Sequence, residues 1–211
     1  MRTFILRSLL IFPVILSLRL EAAAAPRQDC AIEPAPGLLS DPTITSSLPN
    51  RGSSSALLDF VASVAVPGIE RFSAADTFQE HQPPLQVQVA WLGDNFRKHF
   101  LNAIEVHVPA GTLDVYRLRQ PARDDSIAAA LGGQREAKLY DVWTLINCQS
   151  QGKIDMILTD GTPNFFYVRD SAGVIWAVDA VWGGAGWEIG ASPLQDPRPW
   201  GRGRQVILRR P

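Results

Sequence analysis

Apolar and polar positions alternate with a period of two over much of this 211-residue chain, and the stretches where they do not are as informative. "LQVQVAWL" puts Leu85, Val87, Val89 and Trp91 on one side and Gln86 and Gln88 on the other, the pattern of a half-buried strand. "AIEVHVP" alternates again. It predicts Ile104, Val106 and Val108 facing inward, with Glu105 and His107 outward. "TLDVYRL" predicts the next strand.

From Lys153 onward the pattern predicts a β-meander. Ile154, Met156 and Leu158 alternate with polar neighbours, and "DGTPN" turns the chain. In "NFFYVRDSAGVIWAVDAVW", Asp170 and Gly173 suit a type I turn closed by a left-handed glycine. That turn pairs Asp170 with Val174, Val168 with Trp176 and Phe166 with Val178. Phe166, Val168, Val174, Trp176 and Val178 then share one face, and Phe165, Tyr167, Arg169, Ile175, Ala177 and Asp179 the other. A one-residue slip would mix these faces, which favours this register. "WEIGA" continues the meander through Trp187, Ile189 and Ala191, and "RQVIL" supplies a last strand.

Helical spacing is rarer. "SSSALLDFVASVAVPG" has serines for an N-cap, a stripe through Leu57, Phe60, Val61 and Val64, and Pro67 as a stop, which predicts a helix. "GDNFRKHF" predicts a short helical turn capped by Asp94. "DDSIAAALGG" has acidic caps in front and glycines behind. Leu139, Tyr140, Trp143 and Ile146 carry a helical stripe that ends near Gly152. The sum is an α+β domain: a mainly antiparallel sheet, ending in a C-terminal meander, with two or three helices packed on one side.

The first 24 residues have a different character. Arg2 and Arg7 precede an apolar run over 8–18, and Ala22, Ala23 and Ala24 follow. This is the layout of a secretory signal peptide cut after Ala24; the run is too short for a bilayer span. Residues 25–52, rich in Pro, Ser, Thr and Gly, predict an extended arm, and 53–211 a single domain. With no other long apolar run, no transmembrane segment is expected after cleavage. The expected location is periplasmic or secreted, and the Arg- and Ala-rich composition points to a bacterial envelope. In such a compartment Cys30 and Cys148, the two cysteines of the chain, are expected to form one disulfide.

Composition narrows function mainly by exclusion. The net charge of −1 argues against bulk or sequence-specific nucleic-acid binding. G-x-S-x-G, H-E-x-x-H and Walker sequences are missing, so no nucleophile elbow, zincin or phosphate loop is expected. His81, His99 and His107 lack metal-ligand spacing, although His99, His107 and Glu105 could converge; no metal or cofactor is assigned. Asp155, Asp160, Asp170 and Asp179 could supply a carboxylate pair. The tail "RPWGRGRQVILRRP" sets Arg198, Arg202, Arg204, Arg209 and Arg210 around Trp200, a composition suited to an anionic partner.

Candidate ligand-binding residues are therefore Phe165, Tyr167 and Arg169 on the second face of the hairpin, and Trp200, Arg202 and Arg204 in the tail. The expected function is that of an exported, non-enzymatic binding or accessory protein whose partner is another protein or an anionic envelope component. The alternative is a small secreted hydrolase with a carboxylate- or His-centred site.

Overall fold

The computed structural model describes residues 31–33, 56–81, 87–133, 135–150, 155–194 and 196–210. Residues 1–24, where the signal peptide is expected, most of 25–52, and Cys30 lie outside them. The described residues form strands β1 (Ala31–Glu33), β2 (Leu58–Val66), β3 (Ile69–Ser73), β4 (Val89–Leu92), β5 (Ile104–Val108), β6 (Gly111–Leu118), β7 (Asn164–Arg169), β8 (Ile175–Trp182), β9 (Trp187–Pro193) and β10 (Gln205–Arg209). The helices are α1 (Ala74–Thr77), α2 (Asp94–His99), α3 (Asp124–Ala130) and α4 (Leu139–Ser150). No helix among the described residues is long and apolar enough to cross a membrane.

Eight strands make one sheet in the order β1-β2-β6-β10-β7-β8-β9-β4, and β3 pairs with β5 in a separate ribbon. The class is α+β, but the sheet is mixed. β10 runs parallel to β7, and β4 parallel to β9, while the other pairs are antiparallel. The meander is correspondingly shorter than the sequence predicts. It comprises β7, β8 and β9; β10 then returns to the far side of β7 instead of extending it. Residues 155–163 form no strand. Met156 and Ile157 are buried in a loop that Asn164 pins, its carboxamide donating to Leu158 O at 2.9 Å and accepting from Leu158 N at 2.8 Å.

The stretch expected to be the first helix is strand β2. It lies between β1 and β6, and a bulge between Phe60 and Ala62 shifts its register. Leu58 packs on one face of the sheet, and Ala62, Val64 and Val66 on the other. A strand buried on both faces shows no clean alternation, and the extra residue moves its phase, so helical spacing appears by coincidence. In β5 the expected faces are reversed at the start. Ile104 and Val106 are 55% and 59% exposed. Glu105 instead turns inward, accepting hydrogen bonds from Leu139 N and Tyr140 N, both at 3.0 Å, at the start of α4. His107, at φ +50°, then breaks the alternation, and Val108 is buried.

Helices cover both faces, not one. The larger core joins the front of the sheet to α1, α2 and α4 through Phe78, Phe96, Leu139, Val142 and Ile146. A smaller core behind the sheet joins Phe165, Tyr167, Ala177, Val206 and Leu208 to Ile127 and Leu131. The 164–182 hairpin has the register its turn dictates: Phe166 opposes Val178, Val168 opposes Trp176, and Gly173 sits at φ +83°.

Candidate functional site

An open feature lies at the back of the sheet, beside the smaller core. Phe165 on β7, Asp179 on β8 and Gly190 on β9 lie opposite one another across three strands. Phe165 is fully buried, because the indole of Trp200 stacks on it at 4.2 Å and nearly parallel, 6° apart. One step along, Gly190 has no side chain. A Cβ there would lie 2.8 Å from Asp179 Oδ1, so the glycine makes room for the carboxyl. Above this row is a cavity of about 350 Å³ lined by Asp124, Asp179, Ser192, Asp196, Trp200 and Arg204, with Arg198 and prolines 163, 193 and 199 around them.

The walls are held from far apart in sequence. The loop between β9 and β10 is tied to the segment before α3 by Trp200 N donating to Ala122 O at 2.8 Å and Ala122 N to Trp200 O at 3.0 Å. Asp124 Oδ1, at the start of α3, accepts from Tyr167 Oη at 2.8 Å and from Trp200 Nε1 at 2.7 Å. Burial raises the Asp124 carboxyl above its ordinary range, against the pull of these two donors. At the rim Asp196 and Arg198 satisfy each other, with Arg198 Nη2 2.6 Å from Asp196 Oδ2.

Two groups in the cavity stay unused. Asp179 takes no side-chain hydrogen bond from another described residue, and burial pushes its carboxyl up to about 6, with the nearby Arg204 opposing the shift. The Arg204 guanidinium lies over the Trp200 ring, 5.3 Å from its centroid, and makes no ion pair among the described residues. A carboxyl titrating near neutrality beside a free guanidinium can bind a polar ligand or carry a proton.

The residues expected from sequence separate accordingly. Trp200 and Arg204 line the cavity. Phe165 and Tyr167 are buried, so they form no open platform: Phe165 backs Trp200, and Tyr167 positions Asp124. Arg169 sits at the other end of β7 and pairs with Glu136, Nε to Oε2 at 3.0 Å. Arg202 is exposed and outside the cavity. The tail is less of a cationic surface than its composition suggests. Arg209 pairs with Asp141 and Arg210 with Asp114, each at 2.6 Å.

The histidines do not converge. His99 Nδ1 lies 3.1 Å from Asp170 Oδ2, whereas His107 faces Glu70 and Glu105 caps α4. No group of three or more His, Cys, Asp or Glu residues among the described ones could hold a metal. Cys148 is fully buried in α4, out of reach of a substrate; Cys30 lies outside the described residues. Asp124 is the lining residue that sequence reading treats only as a helix cap. The available signal for the site as a whole is Asp179 itself, a lone carboxylate amid "VIWAVDAVW". Compared with family models, characterised proteins and solved structures, the chain matches none of them.

Proposed function

We propose that the protein is an exported, non-enzymatic binding protein whose ligand site is the Asp179 cavity. The observation that carries this reading is a half-buried carboxyl on the cavity floor whose only hydrogen bond is from its own backbone N–H. Leaving such a group short of donors costs up to about 1–3 kcal/mol, and a ligand that supplies a further donor recovers part of it. A cavity of about 350 Å³ suits a small molecule. It replaces the hairpin platform as the place where the ligand meets Trp200 and Arg204. Export rests on the residues up to Ala24, and N-terminal sequencing of protein recovered from the native host tests it: Ala25 is the expected first residue.

The binding test is a screen of small polar compounds followed through the Trp200 indole N–H resonance, which reports on the cavity wall. A ligand shifts that resonance in the wild type, and the effect shrinks in Gly190→Ala, where the added methyl crowds the Asp179 carboxyl. Compounds that bind without touching Trp200 would remove the cavity from consideration.

A second reading is favoured by one observation: the Asp179 carboxyl, at about 6, shares the cavity with Asp124. That pair could do acid–base work in a small hydrolase. Turnover that falls at least about a hundredfold in Asp179→Asn, with the fold intact, is what this reading requires.

A further inference from the structure

The charges in the cavity also say what kind of molecule fits, given that the cavity is the ligand site. Five charged side chains line it: Asp124, Asp179, Asp196, Arg198 and Arg204. Asp196 and Arg198 neutralise each other, and Asp124 already accepts from Tyr167 and Trp200. The two charged side chains left without a side-chain hydrogen bond among the described residues are Asp179 and Arg204, which attract each other without closing into an ion pair, while Asp124 is held by two neutral donors. A ligand that is only cationic leaves the Arg204 guanidinium without a hydrogen-bond partner, and one that is only anionic faces Asp179. Stacking of a sugar ring is blocked, because Phe165 covers one side of the Trp200 indole and Arg204 lies over its ring.

We infer that the cavity takes a small zwitterion of the α-amino-acid class, its ammonium on Asp179 and its carboxylate on Arg204. Both legs are charge-assisted hydrogen bonds in a partly desolvated site, the setting in which they are strongest. The prolines and Ser192 leave space for a compact side chain. The ammonium leg requires Asp179 ionised, so binding weakens as pH falls below about 6. The charged groups facing Asp179 are Asp124 from α3 and Asp196, Arg198 and Arg204 from the β9–β10 loop; Phe165, Gly190 and Ser192 on the neighbouring strands carry no charge.

The test uses the full mature chain and titrates the twenty common amino acids singly, with ethylamine, N-acetylglycine and glycerol as partial ligands. Affinity is read by calorimetry, and site occupancy by the Trp200 indole resonance. At least one amino acid should bind about tenfold or more tightly than either ethylamine or N-acetylglycine. Asp179→Asn and Arg204→Gln should each cost about tenfold or more in that affinity. Asp179→Asn should not weaken N-acetylglycine binding, and Arg204→Gln should not weaken that of ethylamine. Half-ligands that bind as well as the amino acid overturn the zwitterion. If glycerol or another compound moves Trp200 while no amino acid does, the zwitterion falls and the cavity survives as a site. If nothing moves Trp200, both fall.

Discussion

Asp170 and Asp179 sit nine positions apart on one hairpin, and the fold treats them in opposite ways. Asp170 accepts four hydrogen bonds: from Ala172 N, Val174 N, His99 Nδ1 and Trp176 Nε1, at 2.9, 2.8, 3.1 and 3.0 Å. Burial raises its carboxyl, but these donors outweigh burial and hold it below the usual range. Its stabilisation is thus present above the ordinary carboxylate range and is lost as pH falls through the folded value. Asp170→Ala, which strands those donors at the hairpin tip, should cost about 2–4 kcal/mol in denaturant unfolding at pH 7. Asp179 has the opposite sign. With its folded value raised to about 6, the native state takes up a proton as pH falls from there towards the unfolded value. Ionised Asp179 therefore destabilises the fold above pH 6. Asp179→Asn should stabilise by about 1–2 kcal/mol at pH 7, an advantage that fades as pH approaches about 4. Equal stability of the two proteins across that range would show that the carboxyl is not desolvated.

At the scale of elements, α4 is held by groups from distant strands. Its first amides meet the Glu105 carboxylate of β5, and within the first turn Asp141 Oδ2 accepts from Lys138 N at 2.9 Å, half of a capping box. The other oxygen of Asp141 meets Arg209 of β10 at 2.6 Å, with Asp141 fully buried. Burial raises the Asp141 carboxyl despite the opposing Arg209 charge, so the pair is held in a costly place. Arg209→Met should destabilise by about 3–5 kcal/mol, since it leaves a buried charge alone, and Asp141→Leu added to it should restore most of the loss. Chemical denaturation of the two variants and the double variant checks the cycle. The exposed edge of β4 is managed in the same long-range fashion. His81 N donates to Val89 O at 3.2 Å, and Leu92 N to Glu80 Oε1 at 2.8 Å, with Arg97 holding Glu80 in place. Two outward backbone groups are thereby occupied, which blunts pairing with another chain.

For the whole molecule, the decisive step is the path of the chain after β9. The loop passes behind the sheet, lays Trp200 on Phe165 and re-enters as β10 between β6 and β7. This one crossover closes the smaller core and creates the cavity. At the opposite edge, Ala31–Glu33 of the arm pairs antiparallel with β2, opposite residues 63–65. The adjacent Cys30 is proposed to bond Cys148. Alkylation of the unfolded mature protein without reductant should then add no mass, and reduction should lower stability by about 2–4 kcal/mol. Uptake of two alkyl groups in the absence of reductant would refute the bond.

Local signals were enough for some of this protein. The Asp170–Gly173 turn and the alternation beside it set the register of β7 on β8, and the stripe through Leu139, Tyr140 and Ile146 marked α4. Both depend on neighbours two to four residues apart, whose relation the backbone period alone fixes. The lone carboxylate in "VIWAVDAVW" was visible, as were Trp200 and Arg204 as candidates. Tertiary structure decided the rest. β2 reads as a helix because it is covered on both faces and bulged, which only its partners impose. Ile104 and Val106 face outward because Glu105 is drawn to the start of α4, 34 residues away. The cavity joins Asp124 to Trp200 across 76 residues, and the tail arginines find their carboxylates 68 and 96 positions upstream. Contacts at such separations leave no period in the sequence, since they arise only when distant segments exclude water from the same place.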